Sequence, residues 1–303
     1  MRVLIIGCGY VGFPLGVQLR KDGHEVFGLK RTAEGTETWL AQGIEPLIAD
    51  ITNPETLASL PTNFDWVVHA VSSSKGGIET YKSVYLDGTR NVVEWLKGSG
   101  LKKFVYTSST SVYGQTDGSL VKENSPTEPA TETSQTLVAT EQLLLKAHQE
   151  FKFPALILRV AGIYGPDRGH LFHQYLKNEA RMHGKGDRII NMIYLDDLVG
   201  AIISALKGGR AGEIYNVVDD EPVTQLHFFR WLSESVGKYM PPAASEEEIA
   251  GRKRGLTNKK VSNRRLKMEL GYTFKFPTFR QGYTTEMIRL ERAGKLNITH
   301  DPR

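Results

Sequence analysis

Short apolar runs alternate with longer amphipathic segments through the first half of the chain. The apolar runs predict β-strands at residues 3–6, 25–29, 45–48, 66–71, 104–107 and 155–159. The segments between them have the periodicity of helices that bury one face. Because these strands are apolar on both faces, their order predicts an α/β fold, a doubly wound parallel sheet with helices on each side.

The pattern is less regular in the second half of the chain. A helix is predicted at residues 171–182 and a further strand at 213–218. Asp196 and Asp197 precede an apolar stretch at 198–206 and predict the N-cap of another helix. These elements predict a separate, smaller C-terminal cap.

The turn after the first predicted strand reads GCGYVG and leads into a predicted helix. This is the context in which a GxGxxG turn binds the pyrophosphate of a dinucleotide. Gly7 permits the tight turn, Gly9 lets the backbone approach the phosphates, and Gly12 allows the helix to pack closely on the strand. The N–H groups at the start of the helix, around Tyr10 and Val11, then face the anion. A turn that is merely tight is the alternative.

Two cations stand where the second predicted strand ends. NAD-binding proteins usually carry Asp or Glu at this place, to accept hydrogen bonds from the ribose hydroxyls, but this chain has Lys30 and Arg31. Both would form charge-assisted hydrogen bonds with a 2′-phosphate, which predicts a preference for NADP over NAD. The alternative is that both side chains are simply solvated.

The composition is that of an ordinary globular protein. Its 303 residues are 40% hydrophobic, enough for one large domain or two. With 38 basic and 34 acidic residues the formal charge is +4, too small an excess to predict a nucleic-acid partner. The single cysteine, Cys8, excludes a disulfide framework and fits a cytoplasmic protein. No apolar run reaches the ~18 residues of a transmembrane helix, and no metal-binding spacing is present.

Further motifs follow the glycine-rich turn in order. They are ADI at residues 49–51, VHA at 68–70, GTRN at 88–91, YTSSTSVYG at 106–114, LRVAGIYGP at 158–166, IYLDD at 193–197 and IYNVVDD at 214–220. Together they resemble the extended short-chain dehydrogenase/reductase superfamily, in its NAD-dependent epimerase/dehydratase branch, over nearly the whole chain. We therefore predict a dinucleotide-binding Rossmann domain at residues 1–168, completed by about 188–222, and a substrate-binding cap at 169–187 and 223–303.

The resemblance implies a set of cofactor contacts: Asp50 and Ile51 near the adenine, Ala70 and Val71 lining the cleft, and Thr107 and Ser108 after them. It also places Ser109 at the catalytic serine position, and Arg159 and Tyr164 near the mouth of the cleft. Two alternatives remain from the residues themselves. Asp50 could cap the following turn, and Ser109 could only satisfy backbone donors at a strand end.

Members of this superfamily carry a tyrosine and, four residues later, a lysine on one face of a helix. The tyrosine exchanges a proton with the substrate, while the lysine lowers the pKa of the tyrosine and holds the ribose. Aligned on Glu141, which matches a helix glutamate of the family, those two places hold Thr133 and Leu137, and neither can do this chemistry. Tyr85 replaces the family's asparagine, so of the usual four residues only Ser109 remains. Tyr85, Tyr113, Tyr164 and His170 are weak candidates for a replacement acid, since each could equally be a packed side chain.

These observations favour an atypical, NADP-preferring reductase or epimerase that acts on a sugar-nucleotide-like or other small polar substrate. The alternative is a non-catalytic NADP(H)-sensing regulatory or scaffold protein. The resemblance also implies a homodimer formed through helices at residues 78–97 and 134–150. The basic stretch at 252–267 is explained either as a solvated face or as a phosphate-contacting edge of the cleft, and less readily as a nucleic-acid-binding segment.

Overall fold

The computed structural model describes residues 1–72, 77–245, 247–248 and 257–296. The strands are β1 Arg2–Ile6, β2 Glu25–Lys30, β3 Ile44–Ile48, β4 Trp66–His69, β5 Lys103–Ser109, β6 Leu120–Val121, β7 Ala155–Val160, β8 Gly162–Tyr164, β9 Ile189–Ile190, β10 Met192–Tyr194, β11 Ile214–Val217, β12 Val223–Thr224 and β13 Lys260–Val261. The α-helices are α1 Gly12–Lys21, α2 Glu37–Leu40, α3 Pro54–Ala58, α4 Ile78–Lys82, α5 Gly88–Leu96, α6 Glu132–Phe151, α7 His170–Leu176, α8 Leu195–Gly208, α9 Gln225–Val236, α10 Arg264–Leu270 and α11 Phe279–Arg292.

A parallel sheet of seven strands forms the centre of the protein. The strand order is β3-β2-β1-β4-β5-β7-β11, and every neighbouring pair is parallel. The predicted doubly wound α/β fold is therefore confirmed. All six strands predicted in the first half of the chain belong to this sheet, and the strand predicted at 213–218 is β11.

Both faces of the sheet are covered. In β1, Val3 and Ile5 pack into one hydrophobic core while Leu4 and Ile6 pack into another, and all four are fully buried. Successive side chains of a strand point to opposite faces, so a strand with a core on each side must be apolar at every position. This requirement explains the uninterrupted apolar runs in the sequence.

The second half of the chain adds a small aromatic core built around α7, α9 and α11. Tyr164 at the end of β8 stacks on Tyr283 of α11, with ring centroids 4.3 Å apart. The helix predicted at 171–182 is shorter than expected and ends at Leu176, shortly before Asn178, which has a left-handed backbone with φ of 61°. No helix among the described residues is long and apolar enough to cross a membrane.

Asp197 does not have the capping role that the sequence predicts. Helix α8 begins at Leu195, so Asp197 lies within its first turn, and the N-cap residue Tyr194 makes no side-chain cap bond. The buried carboxylate of Asp197 instead accepts hydrogen bonds from the Tyr272 hydroxyl at 2.7 Å and from the backbone N–H groups of Lys275 and Phe276. Asp197 thereby fixes the segment before α11 to helix α8.

Candidate functional site

The three glycines of the first turn differ in their surroundings. Gly7 has φ of +89°, and a Cβ there would lie 2.7 Å from the carbonyl oxygen of Ala70. A Cβ on Gly12 would lie 2.5 Å from the Gly7 carbonyl oxygen, whereas one on Gly9 would meet nothing within 4 Å. Gly7 and Gly12 are thus required by the close packing of the turn, while Gly9 leaves its outer surface open.

This turn leaves backbone donors available at the start of α1. The N–H of Gly9 donates to Gly7, but the N–H groups of Tyr10 and Val11 have no acceptor among the described residues. Both side chains are half-buried. Open N–H groups at a helix N-terminus bind phosphate well, so the turn fits the pyrophosphate of a dinucleotide. Residues with the geometry of a pyrophosphate site are therefore present.

Lys30 and Arg31 lie at the carboxyl end of β2, but their side chains differ. The Lys30 ammonium donates to the carbonyl of Glu34 and lies 5.2 Å from the ring centroid of Trp39, so it is turned onto its own loop. Arg31 is exposed, and no ion pair joins it to a carboxylate in the described part of the chain. Arg31 is therefore the cation available to a ligand at this place.

Asp50 and Ile51 follow β3 and lie on the same edge of the sheet. The Asp50 carboxylate accepts hydrogen bonds from the backbone N–H of Thr52 at 2.9 Å and from its hydroxyl at 2.8 Å. One Asp50 oxygen, Oδ1, therefore caps the turn that follows, as the alternative explanation of Asp50 predicts. Ile51 is buried against Gly88, where a Cβ would lie 2.8 Å from the isoleucine side chain.

Strands β4 and β5 lie next to the glycine turn in the sheet. Ala70 and Val71 follow β4, and Thr107 belongs to β5. Ala70 and Val71 are half-buried, and Gly7 packs directly on their backbone. The Thr107 hydroxyl donates to the carbonyl of His69 at 3.2 Å, tying β5 to β4. Burial lowers the pKa of His69 to about 4, which keeps its ring neutral.

A buried polar network lies beneath α6. The Ser108 hydroxyl donates to Glu141 at 2.6 Å, and Arg159 binds the same carboxylate through Nε and Nη2, the latter at 2.7 Å. The Arg159 side chain is only 5% exposed, so the expectation that it lies at the mouth of the cleft is wrong. An arginine and a glutamate of opposite charge can be buried together, and this pairing draws Arg159 inward.

Ser109 differs in its surroundings from Thr133 and Leu137, which occupy the family's tyrosine and lysine positions, here called the dyad positions. The Ser109 hydroxyl oxygen, half-buried at the end of β5, accepts a hydrogen bond from the Ser111 N–H at 3.1 Å. On α6, Thr133 is exposed and its hydroxyl lies 3.4 Å from that of Thr131, whereas Leu137 is buried in the core. Neither α6 side chain carries an ionisable group.

The three tyrosine candidates for the replacement acid differ in burial and in their contacts. Tyr113 is fully buried, and its hydroxyl donates to Asn216 at 2.8 Å and accepts from Arg159 at 2.9 Å. Tyr164 is also buried, in the aromatic core with α7, α9 and α11, although it was expected near the cleft mouth. Tyr85 is half-exposed in a π-helical segment, Ser83–Asp87, that packs against α6. Tyr85 stacks on Tyr81 with ring centroids 4.2 Å apart.

Lys259 lies in the basic stretch for which a solvated face was one of the explanations, and for this residue that explanation does not hold. Its side chain is buried and its ammonium donates to the carbonyl of Tyr113 at 2.8 Å and to the hydroxyl of Thr257 at 2.9 Å. Burial lowers the pKa of Lys259 to about 8. Its neighbours Arg265 and Lys267 form ion pairs with acidic residues, and residues 252–256 of the basic stretch lie outside the described residues.

No group of histidine, cysteine, aspartate and glutamate side chains in the described ranges could hold a metal ion. Burial raises the pKa of the Cys8 thiol to about 12, so the glycine turn carries no thiolate. The polar groups described above at the carboxyl edge of the sheet are hydroxyls, backbone N–H groups, the Asp50 carboxylate and the cations Lys30 and Arg31. This set suits a phosphate-containing ligand and transfer of a proton or hydride.

The comparisons with known proteins agree with this geometry. A model of the NAD dependent epimerase/dehydratase family matches residues 3–218. Protein YeeZ of Escherichia coli strain K12 is 28% identical over 283 residues, which are 91% of this chain and 96% of that protein. Human dTDP-D-glucose 4,6-dehydratase is 34% identical over 154 residues, 46% of this chain and 41% of that protein.

A solved structure shares the whole fold. DesIV, a dTDP-glucose 4,6-dehydratase from Streptomyces venezuelae with NAD and TYD bound, superposes with a TM-score of 0.81 at 23% identity, over 97% of this chain and 98% of that chain. At this identity the likeness concerns the fold alone. The family match covers most of the chain and includes every strand of the central sheet. The chain therefore belongs to the NAD-dependent epimerase/dehydratase family of the extended short-chain dehydrogenase/reductase superfamily.

Proposed function

We propose that this protein is an NADP-preferring reductase or epimerase with an atypical active site. Its substrate would be sugar-nucleotide-like or another small polar molecule, bound between the carboxyl edge of the sheet and the C-terminal cap. One observation carries the cofactor preference: two cations, Lys30 and Arg31, and no carboxylate, occupy the end of β2. The substrate class is supported by the dTDP-D-glucose 4,6-dehydratase relative.

The residues around the glycine turn would hold the dinucleotide. The N–H groups of Tyr10 and Val11 would bind its pyrophosphate, and Arg31 would bind the 2′-phosphate. A charge-assisted hydrogen bond contributes about 1.5–3 kcal/mol, which corresponds to roughly a tenfold to hundredfold preference for NADP over NAD. The bound nicotinamide would supply the hydride acceptor or donor.

Two side chains are proposed to act on the substrate. The Ser109 oxygen already accepts a hydrogen bond, so its proton remains free to be donated to a substrate oxygen. Tyr85 is the proposed proton donor, because Tyr113 and Tyr164 are buried whereas Tyr85 is half-exposed beside α6. Leu137 cannot assist as the family's lysine does, so Tyr85 would act without that lysine and turnover would be slow.

The second candidate function is NADP(H) sensing without turnover. Thr133 and Leu137 favour it, since neither provides an acid or a base at the dyad positions. Both functions require the same cofactor site. Oxidation of NADPH by a panel of carbonyl substrates, lost in Ser109→Ala, would support the enzyme; NADPH binding without turnover on any of them would support the sensor.

We further propose a cytoplasmic homodimer that binds no nucleic acid. Burial of Cys8 and the absence of a second cysteine fit a reducing compartment. The dimer would form through α4, α5 and α6. Gel filtration should give about twice the mass of one chain, and a monomer mass would contradict this arrangement.

Calorimetric titration with NADPH and NADH tests the proposed cofactor. Wild type should bind NADPH at least about tenfold more tightly than NADH, and Lys30→Ala/Arg31→Ala should remove the difference. Arg31→Ala alone should account for most of the loss, because Lys30 is turned onto its own loop. Lys21→Ala, at the exposed end of α1, is the charge-matched control and should bind both as wild type does. Equal affinity for NADPH and NADH would contradict the NADP preference.

A further inference from the structure

A tight turn after β8 links the cap to the sheet domain. Gly165 and Arg168 exchange two backbone hydrogen bonds of 3.0 Å each, and Asp167 between them has φ of 57°. The Asp167 carboxylate accepts a hydrogen bond from Arg289 of α11 at 3.0 Å. Arg289 is in turn bonded to the buried Glu286 at 2.9 Å. The turn is thus fixed on one side to the cap.

The other side of the same turn contacts the glycine turn. The Tyr10 hydroxyl donates to the carbonyl of Pro166 at 3.0 Å. A Cβ on Gly165 would lie 3.2 Å from the Tyr10 hydroxyl oxygen, so the glycine permits this close approach. Tyr10 is itself the residue whose backbone N–H is open for a phosphate. The turn after β8 therefore has a fixed position relative to the phosphate site.

Arg168 extends from this turn onto Tyr10. Its guanidinium carbon lies 4.9 Å from the centroid of the Tyr10 ring. Arg168 is exposed, and within the described ranges it forms no ion pair, whereas its neighbour Asp167 is paired with Arg289. A guanidinium stacked on a ring keeps the N–H groups at its edge available, and these match the geometry of phosphate oxygens. An unpaired cation is therefore stacked on the ring of Tyr10, the residue that also carries one of the open backbone donors.

We propose that Arg168 binds the pyrophosphate of the dinucleotide from the cap side, opposite the N–H groups of Tyr10 and Val11. This inference rests on the proposed cofactor site and adds to it a contact that the glycine turn does not provide. A phosphate of the substrate has the same chemistry. The cofactor is the assigned ligand because Tyr10 carries both the open N–H and the ring on which Arg168 stacks.

Titration of wild type and Arg168→Ala with five ligands, one of them UDP-glucose, tests the assignment. NADPH, NADH and ADP-ribose all contain the pyrophosphate and should bind roughly tenfold or more weakly than to wild type. Adenosine 2′-monophosphate lacks it and should bind as to wild type. In Lys30→Ala/Arg31→Ala, by contrast, adenosine 2′-monophosphate should bind more weakly than to wild type. Arg168→Lys should recover part of the affinity, because a lysine keeps the charge but not the planar fork.

Arg230→Ala removes an equally exposed arginine from α9 and is the matched control. Unchanged NADPH affinity in Arg168→Ala would overturn the inference and leave the proposed cofactor intact. If UDP-glucose binding falls while NADPH binding does not, the arginine serves the substrate and the assignment is overturned. Absence of NADPH and NADH binding by wild type would overturn both proposals.

Discussion

Arg159 and Glu141 form a bidentate ion pair that joins β7 to α6, with Nη2 and Oε2 2.7 Å apart and both side chains no more than 5% exposed. Ser108 bonds to the same pair from β5, next to Ser109, and Tyr113 bonds to it from the segment that follows β5. Helix α6 and the end of β5 are therefore held by one buried network. The position of the candidate active site depends on that network.

Arg159→Met should lower the free energy of unfolding by about 3–5 kcal/mol, because it leaves the Glu141 carboxylate buried without its partner. The double variant Glu141→Leu/Arg159→Met removes both charges and should be less destabilised than the single variant. Urea unfolding measures both. Lys146→Met, which breaks an exposed ion pair with Glu150, is the control and should cost less than about 1 kcal/mol. A double variant as unstable as the single one would contradict this role of the pair.

Gly7→Ala should lower the stability of the protein, whereas Gly9→Ala should lower its affinity for NADPH. At Gly7 the new methyl group would collide with the Ala70 backbone at a φ of +89°, so we expect a loss of about 2 kcal/mol or more in thermal or urea unfolding. At Gly9 the methyl group meets no protein atom, and stability should stay within about 0.5 kcal/mol. The same methyl would occupy the space of the pyrophosphate, and NADPH affinity should fall at least about tenfold. A stable Gly9→Ala protein with wild-type affinity would place the pyrophosphate elsewhere.

Tyr85→Phe should reduce any NADPH-dependent turnover by roughly a hundredfold to ten-thousandfold without changing NADPH affinity. The hydroxyl is removed, while the ring stacked on Tyr81 remains. Tyr113→Phe is the comparison, since it removes a hydroxyl that bridges Asn216 and Arg159. We expect Tyr113→Phe to lower the urea midpoint and to have the smaller effect on turnover. Full turnover by Tyr85→Phe would exclude this residue as the proton donor.

The fold and the phosphate turn could be predicted because their signals are local. A strand buried on both faces is mostly apolar, as β1 and β7 are apart from Arg2 and Arg159. The steric demand on Gly12 comes from Gly7 and Ile5, which lie in the same turn and strand. These constraints leave a pattern in consecutive residues. The pattern can be recognised without knowledge of distant contacts.

The errors concern polar residues whose partners lie far away in the sequence. Asp197 precedes an apolar stretch and resembles an N-cap, but its partners are 75 to 79 residues further along the chain. Lys259 lies in a basic stretch that resembles a solvated face, yet its ammonium bonds to Tyr113, 146 residues away. Propensity describes what a residue prefers locally, and a long-range hydrogen bond that satisfies a buried charge overrides it.

Cys8 should be unreactive in the native protein. The residue is buried at the start of the glycine turn, and burial raises the pKa of its thiol to about 12, so almost no thiolate exists at neutral pH. A disulfide exchange reagent should label no thiol in the folded protein within minutes and one thiol per chain in denaturant. Cys8→Ala should give no signal in either state. Rapid labelling of the native protein would show that the glycine turn opens in solution.

Asp219 should make the protein less stable as the pH rises. Its carboxyl group is buried, Oδ1 accepts a hydrogen bond from the Glu221 N–H at 3.1 Å, and Oδ2 has no partner among the described residues. Burial raises the pKa of Asp219 well above its usual range, and the nearby carboxylates of Glu221, Asp220 and Asp197 raise it further. The folded state therefore binds a proton that the unfolded state releases near about pH 3.9.

The stability contributed by that proton is complete below the unfolded pKa of Asp219 and is lost as the pH rises toward the folded pKa. Asp219→Asn keeps the amide oxygen as an acceptor for Glu221 but cannot ionise. Its free energy of unfolding relative to wild type should therefore increase by roughly 1 kcal/mol or more between about pH 4 and pH 8. Urea unfolding at several pH values measures the difference, with Asp117→Asn, at an exposed turn, as the control. A difference that does not change with pH would mean that Asp219 is ionised in the folded protein across this range.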